Sequence, residues 1–246
     1  MVDFKSEQVF LVTGASSGIG AGVVRLLNSR GATVVGIARR LEQMESLKSE
    51  LKFPERFFCE KRDLSEDIEG LPAYVKELKA KYGKFSGLAS CAGVGCLLPL
   101  QVLDANRHKV VFDVNYFSHI YLAKGLADRR NNVGYGTSMV FISSISALHP
   151  DKSMLVYAGS KAALIASVKS IAKELAPHGI RANLLSPAEI MTPMIEHSEV
   201  AAARRQMYPM GFGDVNDVAN LLVFLLSSEA KWITGQNYVV DCASMG

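Results

Sequence analysis

A β-branched apolar run, Val9-Phe10-Leu11-Val12-Thr13, passes straight into Gly14-Ala15-Ser16-Ser17-Gly18-Ile19-Gly20, and a helical pattern follows over about residues 19–29. A turn that carries a strand into a helix against a nucleotide needs residues without side chains. Glycine accepts φ > 0 and lets the backbone approach a pyrophosphate. The helix then offers unpaired N–H groups and its positive dipole end to that anion. Between a strand and a helix, Gly14, Ser16, Ser17, Gly18, Ile19 and Gly20 are candidate phosphate-cradle residues. The competing account is a glycine-rich loop with no ligand.

The rest of the chain repeats the strand–helix alternation. Strand patterns fall at 33–38, 57–60, 88–90, 139–143, 181–185 and 237–240. Helical patterns fall at 41–51, 68–81, 104–114, 117–130, 157–175 and 215–226, and 189–210 is irregular and rich in Met. Alternation of this kind predicts βαβ units and an α/β fold: one Rossmann-type, doubly wound, seven-stranded parallel sheet. A chain of 246 residues fits one such domain, spanning 1–246, with a substrate lid at about 189–210.

Composition closes off other classes. With 49% hydrophobic and 21% charged residues the chain is neither disordered nor fibrous. Its 27 basic and 24 acidic residues leave +3, too little to argue for nucleic acid. Cys59, Cys91, Cys96 and Cys242 form no CxxC pair, which speaks against a metal and for reduced thiols in a cytoplasm. The first eight residues carry acids and no long apolar run, unlike a signal peptide. The strongly apolar run at 221–226 is far short of the ~20 residues of a membrane span, so no membrane is expected.

The end of the second strand bears on the choice of dinucleotide. An NAD site places an acid there for the ribose 2′-hydroxyl. This chain has Gly36-Ile37-Ala38-Arg39-Arg40. Arginine matches a 2′-phosphate in charge and fork geometry, which favours NADP(H) over NAD(H), with Arg39, nearer the strand end, ahead of Arg40. A solvated helix entrance is the plainer account of the pair. Asp63, past the third strand, is either an acceptor for the adenine amino group or the cap of a short turn.

The long helix pattern opens Tyr157-Ala158-Gly159-Ser160-Lys161. Residues four apart share a helix face. A phenol with a pKa about 10 becomes a better acid–base group beside a cation. At the end of the fifth strand, thirteen residues before Tyr157, stands Ser144, where a hydroxyl can donate to a carbonyl oxygen gaining charge.

Taken together, the 13–20 turn, Asn115, Ser144, Tyr157, Lys161 and the segment from Asn183 through Pro187 to Thr192 resemble the short-chain dehydrogenase/reductase family, single-domain type, along essentially the whole chain. The resemblance extends to its 3-oxoacyl-[acyl-carrier-protein] reductase-like members. It implies that Tyr157 exchanges the proton with the substrate oxygen and that Lys161 lowers the tyrosine pKa and holds the nicotinamide ribose. Ser144 polarises the carbonyl, and Asn115 holds a water linking Lys161 to solvent. Ala92, Gly93, Pro187, Ile190 and Thr192 are then cofactor contacts. Three positions depart from the family: Cys91 stands where Asn is usual, Ala188 where Gly is usual, and 240–243 lacks the usual glycines. Alanine resists φ > 0, so a different path is expected after Pro187.

The expected activity is reduction of a ketone, or the reverse, on a small-molecule carbonyl substrate. Ser144, His149 and Tyr157 are the candidate substrate contacts. Met191, Met194, Met207 and Met210 suit a mobile apolar lid, though Met at such spacing is more often packing. Arg204 and Arg205 are the cations of that lid. Arg129, Arg130, Lys169 and Lys173 are candidate contacts for an acyl carrier protein, or simply solvated charges. The resemblance also implies a homotetramer or homodimer, for which apolar patches at 117–126 and 164–171 are compatible with either an interface or packing. A chain keeping all four polar groups argues against the alternative of a non-catalytic NADP-binding sensor or scaffold.

Overall fold

The computed structural model describes residues 3–192 and 205–244. Its strands are β1 (Val9–Thr13), β2 (Thr33–Ala38), β3 (Phe57–Lys61), β4 (Phe85–Ser90), β5 (Ser138–Ile142), β6 (Arg181–Pro187) and β7 (Asn237–Val240). They form one sheet in the order β3-β2-β1-β4-β5-β6-β7. Every neighbouring pair is parallel. The order reverses between β1 and β4, and the carboxyl ends of those strands open a crevice.

The helices are α1 (Gly18–Ser29), α2 (Leu41–Ser49), α3 (Leu71–Tyr82), α4 (Ala105–Phe112), α5 (Ser118–Ala127), α6 (Leu155–Leu175) and α7 (Val215–Leu226). The sheet is covered on both faces, so β1, β4 and β5 are buried at every position and read as unbroken runs rather than alternating ones. One core joins Val23, Val24 and Leu27 of α1 to Leu222 and Val223 of α7. The other joins Leu71 and Val75 of α3 to Leu122 of α5 and Leu164 and Val168 of α6.

The differences from the sequence expectation have local causes. β4 begins at Phe85 rather than 88 because Gly87 serves close packing: a Cβ there would lie 2.4 Å from the Ser138 carbonyl oxygen. The pattern at 68–81 divides into a short turn (Ile68–Gly70) and α3, whose Pro72 sits in the first turn, where no N–H is missed. Leu122, Leu126, Leu164 and Val168 of the apolar patches point into the core, so packing claims them. The stretch Leu155–His178 is long and apolar enough to cross a membrane by length and composition. Its apolar face lies against the sheet, and it carries Lys161 at 3% exposure.

Candidate active site

The phosphate turn needs its glycines for three different reasons. Gly14 and Gly18 have φ of 66° and 53°, where a side chain is strained. A Cβ on Gly14 would also stand 3.0 Å from Ala92 N, and one on Gly20 would stand 2.3 Å from Gly14 O. Ser17 caps α1 in extended conformation without a side-chain cap bond, leaving first-turn N–H groups facing the crevice. Thr13 ties the turn to the end of β4, its Oγ1 accepting from Cys91 N at 3.0 Å and Ala92 N at 3.1 Å.

The two arginines divide differently from the sequence expectation. Arg40 donates to Ser17 Oγ at 2.8 Å and to Ser16 Oγ at 3.2 Å, at the phosphate turn itself. Arg39 stands 3.8 Å from the Asp63 carboxylate and is largely exposed. Asp63 Oδ1 accepts from Ser65 N at 2.9 Å and Ser65 Oγ at 2.7 Å, which closes a local turn, and Asp63 also lines the cavity described below. Burial acts to raise its pKa, but the Ser65 hydrogen bonds and the Arg39 charge outweigh burial and leave it lowered.

The carboxyl ends of β4, β5 and β6 carry the polar cluster. Burial, and then the Glu189 charge, raises the Tyr157 pKa above the usual phenol value against a lowering by the Ser144 hydroxyl. Lys161 Nζ donates to the Ile142 carbonyl at 2.9 Å. Burial pushes its pKa down to about 8. With the ammonium turned to the β5 carbonyl, burial decides the direction of the Tyr157 shift. Ser143 Oγ donates to the Lys161 carbonyl at 3.0 Å, so the serine before Ser144 has a structural task.

Asn115 lies at 0% exposure inside a π-helical turn, Asp113–Phe117, between α4 and α5. Its Oδ1 accepts from Val94 N at 2.8 Å, and Nδ2 donates to Val94 O at 3.0 Å and Ser160 Oγ at 3.3 Å. The side chain pins the loop after β4 to α6. A Cβ on Gly93 would stand 3.5 Å from both Asn115 Oδ1 and Lys161 Nζ, which marks how closely that loop crosses the lysine.

A cavity of about 590 Å³ runs from the phosphate turn to this cluster. It is lined by Gly14, Ser16–Gly20, Arg39, Arg40, Asp63, Ala92, Gly93, Ser144, Tyr157, Lys161, Pro187, Ile190 and Thr192. Asn115 stands behind this wall. His149 is exposed, past the turn Ile145–Ala147, and does not line the cavity; the chain turns there before reaching α6. Ala188 keeps a negative φ and donates its N–H to Val240 O at 3.0 Å, so the missing glycine leaves the loop after β6 unstrained. Met191, Met207 and Met210 are exposed, whereas Met194 and Arg204 fall outside the described residues. Arg130 pairs with Asp128 at 2.6 Å and Arg129 with His178 Nδ1 at 2.6 Å.

One site residue escaped the sequence reading. His119 is fully buried: its Nε2–H donates to Ala92 O at 3.0 Å, so Nδ1 accepts from Ser90 Oγ at 2.5 Å. Burial, with the Lys161 charge, pushes its pKa down to about 3 and keeps it neutral. It carries no local sequence signal, since it gains its place only through pairing of distant segments. Glu189, the first residue of the expected lid segment, lines the cavity. Cys91 is packed against the core, and burial pushes its thiol up to about 12, which fits a small apolar role. Among the described residues no cluster of acids, Cys and His could hold a metal.

Comparison with known proteins accords with this geometry. Residues 14–242 match the family model described as enoyl-(acyl carrier protein) reductase. The vibriobactin-specific 2,3-dihydro-2,3-dihydroxybenzoate dehydrogenase of Vibrio cholerae is 33% identical, with 94% of this chain and 93% of that one covered. The 3-oxoacyl-[acyl-carrier-protein] reductase of Thermotoga maritima is 32% identical over 95% of this chain and 96% of its own. Among solved structures, a short-chain dehydrogenase from Burkholderia cenocepacia in complex with NADP superposes with a TM-score of 0.91. It is 27% identical, with 98% of this chain and 99% of that one covered.

Proposed function

This chain belongs to the short-chain dehydrogenase/reductase family and is an oxidoreductase of alcohols and carbonyls that uses a nicotinamide cofactor; from that premise we propose that it reduces a ketone to a secondary alcohol, or the reverse, with NADP(H). The carrying observation is one continuous cavity joining the glycine turn and Arg40 to the Ser144–Tyr157–Lys161 cluster. The donor set fits a dinucleotide: two glycines at positive φ, the open first turn of α1, and the Arg40 guanidinium beside Ser16 and Ser17. Gly14–Gly20 and Arg40 would hold its phosphates, and Lys161, Ala92, Ile190 and Thr192 its nicotinamide half. When bound there, a nicotinamide supplies or accepts the hydride.

The chain's own groups manage the proton and the charge. Ser144 donates to the substrate oxygen and orients the carbonyl toward Tyr157. Tyr157, whose raised pKa keeps it protonated, delivers its proton to that oxygen in the reducing direction. Lys161, buried one helical turn on from Tyr157, puts its positive charge on the same face of α6 and stabilises the phenolate left behind. The apolar walls exclude water from the exchange.

Initial rates with NADPH and NADH across an acetoacetyl thioester, a diketone, a quinone, a keto-sugar and a ketosteroid test this. Tyr157→Phe runs alongside. NADPH-dependent turnover that drops by about 10²–10⁴ in Tyr157→Phe, with cofactor binding retained, is the expected result. Equal turnover in the variant would remove Tyr157 from the chemistry. Tight NADPH binding with no turnover on any ketone would favour the sensor reading.

A further inference from the structure

Residues 91–94, the loop that follows β4, line the cavity and touch both ends of the site. A Cβ on Gly14 would stand 3.0 Å from Ala92 N, and one on Gly93 would stand 3.5 Å from Lys161 Nζ. A tilt of the Ala92–Gly93 peptide therefore disturbs the phosphate turn and the lysine together.

Cys91, at the head of the loop, packs against the core, and the polar tethers come from other elements. Thr13, the last residue of β1, accepts from Ala92 N at 3.1 Å. Asn115 brackets Val94 through both its N–H and its carbonyl. His119, in the first turn of α5, holds the peptide between those two by donating from Nε2 to Ala92 O at 3.0 Å. The ring is itself anchored in the sheet. Its Nδ1 accepts at 2.5 Å from Ser90 Oγ, and Ser90 is buried at the end of β4 in register with Thr13. A neutral imidazole that accepts at Nδ1 carries its proton on Nε2, so Ser90 sets the donor that Ala92 receives. Without that donor the carbonyl is free to turn, and Gly93, with no Cβ, offers little resistance.

We propose that His119 is a positioning residue for the nicotinamide cofactor: by holding the Ala92 carbonyl it fixes the Ala92–Gly93 peptide in the cavity wall, and so sets the affinity for NADPH and NADH alike. Arg40 stands at the end of the cavity near β2, where the two cofactors differ. The loop after β4 reaches Lys161, on the side that both cofactors share. The inference rests on the nicotinamide-cofactor reading.

Three variants separate the hydrogen bond from the packing. His119→Gln places an amide nitrogen where the imidazole carries Nε2. His119→Asn reaches only the Nδ1 position, beside Ser90. His119→Leu fills much of the space with no donor. Calorimetric titration is expected to show Kd for NADPH and NADH raised about tenfold in His119→Asn and His119→Leu, the scale of one hydrogen bond, and close to wild type in His119→Gln. In steady state the KM for NADPH rises while kcat changes little. Amide hydrogen exchange without cofactor should quicken at 92–94 in the Asn and Leu variants and leave β5 protected. An unchanged Kd in His119→Asn overturns the proposal. So does a His119→Gln variant that folds and binds as weakly as His119→Asn. Exchange that quickens throughout β4, β5 and α5 makes His119 a fold anchor only and overturns it too. Binding of neither cofactor by wild type sinks the cofactor reading as well, whereas faster exchange at 92–94 with unchanged Kd sinks this inference alone.

Discussion

Arg40 donates from its terminal guanidinium nitrogen to Ser17 Oγ at 2.8 Å, bridging the end of β2 to the first turn of α1. The cation thus stands over the phosphate turn before any ligand arrives. Arg39, one residue closer to the strand, faces the Asp63 carboxylate instead. An ordering by sequence distance put Arg39 first; alternation at the strand end put Arg40 at the turn.

Arg40→Ala is therefore expected to weaken NADPH binding by about tenfold or more, the loss of a charge-assisted contact to phosphate. NADH binding should change much less. Calorimetric titration of both cofactors against Arg39→Ala and Arg40→Ala checks this. A larger NADPH-specific loss in Arg39→Ala would reverse the ranking.

Lys161 sets an upper limit on the pH of ketone reduction. Burial pushes its pKa down to about 8, so the ammonium one helical turn on from Tyr157 is lost as pH rises through that value. The kcat for reduction should decline above about pH 8, while Tyr157, with its pKa raised, remains a proton donor. A profile flat to pH 10 would separate the reaction from the lysine charge.

His119 makes the fold sensitive to acid. Its pKa is pushed down to about 3 in the fold, against about 6.5 in an unfolded chain. Between those values the unfolded chain binds more protons, so stability from this group is complete above about pH 6.5 and declines as pH falls toward 3. The slope is at most about 1.4 kcal/mol per pH unit. Urea denaturation at pH 7.5 and 5.5 should show a loss about 1 kcal/mol greater in wild type than in His119→Asn. Equal losses would mean that protonating His119 does not oppose folding.

Gly20 is expected to reject the smallest side chain. A Cβ there would stand 2.3 Å from Gly14 O, so Gly20→Ala must push α1 away from β1. The cost should be about 1–3 kcal/mol in stability, as for other overpacked sites, together with weaker NADPH binding. Thermal melts with and without NADPH measure both. A variant matching wild type in each would show that α1 can shift without cost.

Much of this molecule is written in short stretches of chain. The glycine turn needs only its strand and helix neighbours, and α7 and β7 occur at the bounds that periodicity predicts. Tyr157 and Lys161 share a face because helix geometry puts residues four apart together. These features depend on backbone preferences and a repeat of a few residues, so the sequence by itself determined them, and with them the family and its sheet. Tertiary structure alone decided the rest. Gly87 joins β4 because β5 comes too close for any side chain, Asn115 is taken by Val94 and Ser160, and His119 is locked between Ser90 and Ala92. Each of these is a contact between segments far apart in the chain, and no local pattern of residues encodes the partner on the other side.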